Sequence, residues 1–256
     1  MTSVLPDLPP LSWDYSTLAP SYNMRADYHD GLIDDVLQAM HLNAETPVLD
    51  IGAGTGKLTK VLCNHGLNVI AAEPNVHMRD IALSEPAMHR ARWIAARGEA
   101  LPLADGSVQL VAYGSSFNVL MPTQALAECA RVLQPGGHWM ALWNHRDLDD
   151  PLQSEVEALI RHHIPHYDPG TRRNAPDAAV RDHPSFSDVQ AVERRFVTTL
   201  ATQDWLRAWR SHATLQRQAE ARLPEILNQI DQAVSGQATV QVPYYTRIWI
   251  ARTAVA

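Results

Sequence analysis

The stretch Val48-Leu49-Asp50-Ile51-Gly52-Ala53-Gly54-Thr55-Gly56-Lys57-Leu58-Thr59 constrains what this chain can fold into more than any other. An apolar run ends in an acid, three glycines follow at alternate positions, and a helix-compatible segment comes next. That order suits a buried strand that stops, turns sharply and feeds a helix N-terminus, because glycine reaches positive φ and lets the backbone approach a ligand. The spacing also discriminates among ligands. A dinucleotide fingerprint, Gly-x-Gly-x-x-Gly, needs its third glycine one residue later. A phosphate-binding loop, Gly-x-x-x-x-Gly-Lys-[Ser/Thr], needs glycine where Ile51 stands and a hydroxyl where Leu58 stands. Both a nicotinamide dehydrogenase and a P-loop protein are therefore disfavoured.

Strand and helix patterns alternate around this motif. Strands are expected over 47–51, 67–72, 92–95, 108–113 and 137–144, with helices over 56–65, 75–84 and 122–133 between them. Gln134-Pro135-Gly136-Gly137 stops the last of these helices. Upstream, from Tyr22 to Met40, the spacing of Leu32, Ile33, Val36, Leu37 and Met40 gives one helical stripe. Such alternation with short connections predicts a parallel sheet covered on both faces. After Trp143 the texture changes. Residues 145–185 are rich in His, Arg, Asp and Pro, with one amphipathic helix near 152–164. Strands return at 189–197 and 240–252, separated by helices near 203–215 and 218–234. The reading is a single domain over 1–256, with an aromatic N-terminal arm (1–30) and two lid segments, 146–185 and 203–235.

Composition narrows the functional classes. The chain has 256 residues and a formal net charge of −7, with its basic residues scattered, which disfavours a nucleic-acid partner. No apolar run approaches the roughly 20 residues of a membrane span. Met1–Pro10 lacks the basic and apolar regions of a signal peptide, so a cytoplasmic protein without a membrane partner is expected. Cys63 and Cys129 are expected as buried, reduced thiols. His162, His163 and His166 form the one histidine cluster, but Pro165 interrupts it and no acid completes a ligand set, so no metal is expected.

The motif Asp50-x-Gly52-x-Gly54-x-Gly56 resembles motif I of the class I S-adenosylmethionine (SAM)-dependent methyltransferases, small-molecule type. Arg97-Gly98-Glu99-Ala100-Leu101-Pro102-Leu103-Ala104-Asp105-Gly106-Ser107 resembles a second segment of that family, and Tyr22-Asn23-Met24-Arg25-Ala26-Asp27-Tyr28 resembles its Tyr-x-x-x-Arg-Pro-x-Tyr entry. The resemblance implies an α/β, Rossmann-like seven-stranded sheet with helices on both faces, whose last two strands form an antiparallel edge. It also implies a SAM site. The loop Gly52, Ala53, Gly54 and Gly56 would pass under the methionine portion, with Asp50 supporting it. Tyr22 and Arg25 would meet the SAM carboxylate, although an ordinary surface Arg is the alternative.

Glu73, at the end of the next strand and 17 residues past Gly56, can accept both ribose hydroxyls of an adenosine. Pro74 follows it. Met78 either packs against adenine or belongs to the core. The family's adenine-binding acid is replaced by Arg97, so the Gly98 backbone would hold adenine, with Arg97 stacking on the ring or turning elsewhere, and Glu99 is a further cofactor-binding candidate. Ser115 stands at the end of the fourth strand. Asn118 takes a position where relatives often carry His, and a neutral amide can orient a substrate but not act as a base. Asn144 and His145 end the fifth strand as candidates for substrate contact, His145 being either a base or a solvated lid residue, and Tyr15 and Tyr28 belong to an aromatic arm that would stabilise the sulfonium. Trp205 and Trp209 are either a buried helix stripe or a wall of the substrate pocket.

Three functions follow from the resemblance. The leading one is methyl transfer from SAM to a small metabolite or natural-product intermediate, releasing S-adenosylhomocysteine. The second is the family's SAM-cyclising branch, in which SAM closes to azetidine-2-carboxylate and methylthioadenosine. The third is a SAM-binding protein without catalysis.

Overall fold

The computed structural model describes residues 26–169 and 176–254. Tyr15, Tyr22 and Arg25, on which part of the expected arm rests, lie outside the described residues.

The first half is a run of alternating elements. Helix α1 (Asp30–Met40) is followed by β1 (Val48–Ile51), α2 (Lys57–Asn64), β2 (Val69–Ala72) and α3 (Val76–Leu83). Then come β3 (Arg92–Ile94), β4 (Val108–Gly114), α4 (Pro122–Val132) and β5 (Leu133–Arg146). The strands lie in one sheet of order β3-β2-β1-β4-β5-β7-β6, where β6 is Phe186–Ala201 and β7 is Thr239–Thr253. Strands β1 to β5 run parallel, and β7 enters antiparallel between β5 and β6.

Strand periodicity explains why both faces are covered. Leu49, Ile51, Val111, Tyr113, Trp139 and Ala141 point to one face, where Leu126 and Cys129 of α4 meet them. Their neighbours Val48, Leu110, Ala112, Met140 and Leu142 point to the other, against Ile33 and Leu37 of α1 and Leu58 and Leu62 of α2. Successive residues alternate between two buried layers, so the central strands read as continuous apolar runs.

The second half builds a cap. Helix α5 (Pro151–His163) and α6 (Asp177–Arg181) lie between β5 and β6; α7 (Thr202–Arg210), α8 (Ala213–Ala219) and α9 (Leu223–Ala233) lie between β6 and β7. Arg146 at the end of β5 pairs with Tyr244, whereas β6 and β7 stay paired as far as Ala201 and Thr239. The two strands thus project beyond the carboxyl end of β5 as a ribbon and carry α7–α9 above it. These helices and α5 share a third apolar core, which includes Val156, Ile160, Trp205, Trp209, Leu215, Ile226 and Ile230. Helix α6 packs elsewhere, placing Val180 in the sheet core beside α4.

Several boundaries differ from the sequence expectation, and β5 and β6 each extend further at both ends than expected. The helix expected over 203–215 is two helices, because the His212 Nδ1 accepts the Leu215 amide at 3.2 Å and starts a new one. Likewise α1 begins at Asp30, capped by His29 Nδ1 accepting from the Leu32 amide at 3.1 Å.

Candidate functional site

In an open α/β sheet the ligand crevice lies outside the carboxyl ends of the strands. Here that edge holds the glycine loop. Gly52 and Ala53 both donate their amides to the Ala72 carbonyl, at 2.8 and 3.1 Å, which ties the loop to the end of β2. Gly52 has φ +65° and no room for a side chain, since a Cβ there would stand 2.6 Å from Ser116 Cβ. Ser116 is itself fixed by donating its hydroxyl to the Ile51 carbonyl. Gly56 ends the loop at φ +88° against Met88, at the N-terminus of α2.

Glu73 clasps this loop. One carboxylate oxygen accepts the Gly54 amide at 2.9 Å and the other the Asn75 amide at 2.8 Å. Each oxygen keeps a second lone-pair direction. Burial pushes the Glu73 carboxyl above its ordinary range, and the two amide bonds oppose that shift. Pro74 follows, half-buried, and Asn75 caps α3 by accepting the Met78 amide; Met78 is buried at 3% exposure. Behind the loop, Asp50 is fully buried. One of its oxygens accepts the Thr59 hydroxyl at 2.6 Å and the other has no hydrogen-bond partner. Burial raises its pKa to about 7, with the Glu73 charge adding to the effect.

The second motif lies beside these strand ends. Gly98 is pressed against Ile51 and Leu120, where a Cβ would come within 2.7 Å of the Ile51 side chain. Glu99 accepts the Met121 amide at 3.1 Å and pairs with Arg97 at 3.4 Å. Arg97, where the resemblance implies an acid, is thereby turned to an internal ion pair.

Between the strand ends and the cap lies a cavity of about 200 Å³. It brings together Tyr28, Ser115, Asn144 and His145. Tyr28 Oη lies 3.0 Å from Ser115 Oγ, and Ser115 holds φ +59° with its amide donated to the Leu142 carbonyl. Asn144 acts as a latch: its amide nitrogen donates to the carbonyls of Ala26 and Asp27 at 3.2 and 2.9 Å, and its oxygen accepts the Thr246 hydroxyl at 2.6 Å. Asn118 is placed apart from the cavity lining and accepts the Trp143 indole N–H at 3.1 Å.

The cavity also has walls that sequence reasoning did not assign. Lys57, Arg146, Tyr167, His212 and Tyr244 line it, with Trp205 and Trp209 from the cap. Trp205 and Trp209 do both jobs weighed for them, being buried in the cap core and facing the cavity. Lys57 was visible beside the glycines. Tyr244 reaches the cavity only through its pairing with Arg146, a long-range register that no local pattern encodes.

Comparison with known proteins agrees with this architecture. The family described as methyltransferase domain matches residues 49–141. An uncharacterized methyltransferase of Mycobacterium tuberculosis (strain H37Rv) is 39% identical over 123 residues, 48% of each chain. A malonyl-[acyl-carrier protein] O-methyltransferase of Marinomonas is 29% identical over 150 residues, covering 53% of this chain and 54% of that one. The chain thus spans about half the length of the curated relatives it matches. Among solved structures, a proposed type II methyltransferase from Anaeromyxobacter dehalogenans superposes with a TM-score of 0.65 at 20% identity, covering 90% of this chain and 98% of that one. Residues 49–141 are thus similar to a methyltransferase domain, and the chain shares the fold of that solved structure. The expected seven-stranded α/β sheet is the one observed.

Proposed function

We propose that this chain is a SAM-dependent methyltransferase that acts on a small organic acceptor held under the helical cap. One observation carries the reading. The glycine loop, clasped by Glu73 at the carboxyl ends of β1 and β2, adjoins an aromatic-walled cavity at the ends of β4 and β5. The methyltransferase-domain match over residues 49–141 and the methyltransferases among its relatives support it.

The residues present fit SAM. The loop turns through positive φ at Gly52, Gly54 and Gly56, and Gly52 and Gly54 keep part of their backbone exposed. Each Glu73 oxygen has a lone pair directed away from its amide partner, suited to a ribose hydroxyl. Met78 and Gly98 would flank the adenine, and Arg25 would meet the carboxylate. Bound there, SAM supplies a methyl group on a positively charged sulfur, an excellent leaving group.

What the chain contributes is alignment and exclusion of water, which suffices for much of the barrier in such a displacement. Tyr28 and Ser115 fix one wall where the two halves of the site meet. The Asn144 latch fixes residues 26–28 over the strand ends. His145 stands on the cavity wall as the side chain placed to take a proton from an acceptor. The segments of the cap that line the cavity, in α7 and before 170, would set acceptor choice. We place the protein in the cytoplasm; no helix among the described residues is long and apolar enough to cross a membrane.

The test is calorimetric titration with S-adenosylhomocysteine, followed by incubation with SAM alone and mass spectrometry of the products. Binding, with SAM intact until an acceptor is added, is the expected result. Methylthioadenosine formed without an acceptor would replace methyl transfer with cyclisation, and absence of binding would reduce the protein to a scaffold.

A further inference from the structure

The sheet ends on two very different edges. Strand β3 is short, Arg92–Ile94, whereas β6 runs from Phe186 to Ala201. Among the described residues β6 pairs on one side only, with β7, and from Gln190 to Ala201 that pairing has no shift in register. Its outer side therefore presents a regular row of backbone N–H and C=O groups. Every residue from Gln190 to Arg195 is exposed, so this stretch stays open to solvent. An open edge of this length attracts another strand, and proteins blunt it with proline, a bulge or a covering segment. Residues 186–201 contain no proline or glycine. The bulge between Ser187 and Gln190, with Asp188 at φ +53°, disturbs only the start of the strand. There the Arg181 guanidinium donates to the Val189 carbonyl at 3.2 Å.

Side chains alternate across the two faces of this edge. Val192, Arg194 and Phe196 share the α1 face, where Arg194 pairs with Asp35 at 2.8 Å and Phe196 meets the His29 ring at 5.8 Å. Val192 borders an open groove of about 540 Å³ between α1 and the sheet, together with Val36, Met40 and Ile250. Glu193, Arg195 and Val197 share the opposite face. Four large apolar side chains stand exposed among the described residues, and two of them, Val192 and Val197, belong to this edge.

We propose that β6 is the contact surface for a second copy of this chain, the two strands pairing antiparallel about a two-fold axis at Arg194. The two seven-stranded sheets then join into one. Symmetry and side-chain pattern together select the partner and the register. A two-fold axis perpendicular to the sheet keeps like faces together and sets one residue opposite itself. Centred on Arg194, it sets Glu193 opposite Arg195, Val192 opposite Phe196 and Ala191 opposite Val197, each pair occurring twice. Opposite charges and apolar partners are the pairs that stabilise cross-strand contact. Arg194 meets its own copy, but each brings Asp35 as a counter-ion. Moving the axis by one residue breaks the match. Centred on Glu193, that residue faces itself and Val192 faces Arg194; centred on Arg195, that residue faces itself and Glu193 faces Val197. Within the chain Glu193 pairs with Arg247 and Arg195 with Asp147, so the contact across the axis extends both into one network. The bulge ends regular backbone at Gln190, and by symmetry the pairing stops at Thr198. Because the axis closes on itself, assembly stops at two copies. The inference is independent of the cofactor and of the acceptor.

Sedimentation velocity of the full chain across the micromolar range tests it. The mass should rise with concentration to twice that of the chain and no further. Glu193→Arg sets an arginine against Arg195 of the other copy and should weaken the dimer about tenfold or more. Adding Arg195→Glu exchanges the signs and should recover the association, although it also breaks the internal pairs with Arg247 and Asp147. Register is read by cross-linking. Arg194→Cys puts two thiols opposite each other at the axis, and antiparallel partners lie within the reach of a disulfide. Diamide should therefore join that variant as a dimer but not Glu193→Cys, whose partner is Arg195. Cys63 and Cys129 are buried and stay out of the reaction. Circular dichroism checks that each variant is folded; should one fail, the mass of the unaltered protein still decides. A chain that stays monomeric throughout would overturn the inference and leave the edge to another segment of the chain or a different partner. Mass growing beyond two copies, or equal cross-linking at positions 193 and 194, would overturn it as well.

Discussion

Gly52 offers a quantitative test of how the site is packed. Replacing it by alanine has two costs. The first is conformational, because φ is +65° there, and holding an alanine in the left-handed region costs about 1 kcal/mol. The second is steric. The new Cβ would lie 2.6 Å from Ser116 Cβ, where carbons prefer about 3.5–4.0 Å. Ser116 cannot simply rotate away, since it is its Cβ that clashes and its hydroxyl is fixed on Ile51. Overpacking of this kind costs about 1–3 kcal/mol, so the total is about 2–4 kcal/mol.

Gly106 provides the control. Its φ is +59°, and nothing lies within 4 Å of a Cβ placed there. Gly106→Ala should therefore lose only the conformational part, about 1 kcal/mol. Effects of the substitution on the unfolded chain are common to both and cancel in the difference. Urea denaturation of the two variants, with matched slopes, measures that difference directly. Gly52→Ala should be the less stable by at least about 1 kcal/mol, and should also bind S-adenosylhomocysteine more weakly. Two variants of equal stability would show that Ser116 yields without cost and that the loop is not held as described.

Three further outcomes are expected. Glu73→Gln keeps the shape but replaces one acceptor by a donor facing an amide; although it relieves the burial of a charge, it should lose about 1–2 kcal/mol of stability and weaken cofactor binding, and unchanged calorimetric affinity would show that the clasp is idle. Asp50 titrates near 7 in the folded protein against an ordinary 3.8, so the native state keeps a proton that the unfolded chain releases, and stability falls as pH rises through this window and levels off above it. Relative to Asp50→Asn, the unaltered protein should therefore lose about 2–3 kcal/mol between pH 5 and 8 in urea titrations, and parallel profiles would refute the assignment. Asn144→Ala removes the latch on Ala26 and Asp27; hydrogen exchange of residues 26–29 should quicken while that of β1 and β4 is unchanged, and a uniform increase would mean that the sheet itself depends on it.

Legibility in the sequence followed the range of the interactions. The strand expected over 47–51 is β1 at Val48–Ile51, and the helix over 122–133 is α4 at Pro122–Val132, because apolar periodicity and a Pro-Gly-Gly stop are local. The glycine loop and Glu73 were readable for the same reason. The break at His212 and the start at Asp30 were not, since a histidine accepting an amide through Nδ1 is not among the usual capping side chains. Asn144 and Asn118 show a different limit. Both stand at strand ends where substrate contact was expected, yet their hydrogen bonds go to the 26–27 backbone, Thr246 and Trp143, partners up to 118 positions away in the chain. The cavity walls were hidden because they come from separate elements joined only by the register of β5, β6 and β7.

That register has an evolutionary reading. Ala201 and Thr239 are paired neighbours on the ribbon, so the 37 residues between them leave and re-enter the sheet at adjacent points. A segment anchored in this way can lengthen, shorten or be exchanged without moving any strand that shapes the glycine loop. The molecule is divided by its own topology into a sheet that shapes the glycine loop and a separable mould over the strand ends.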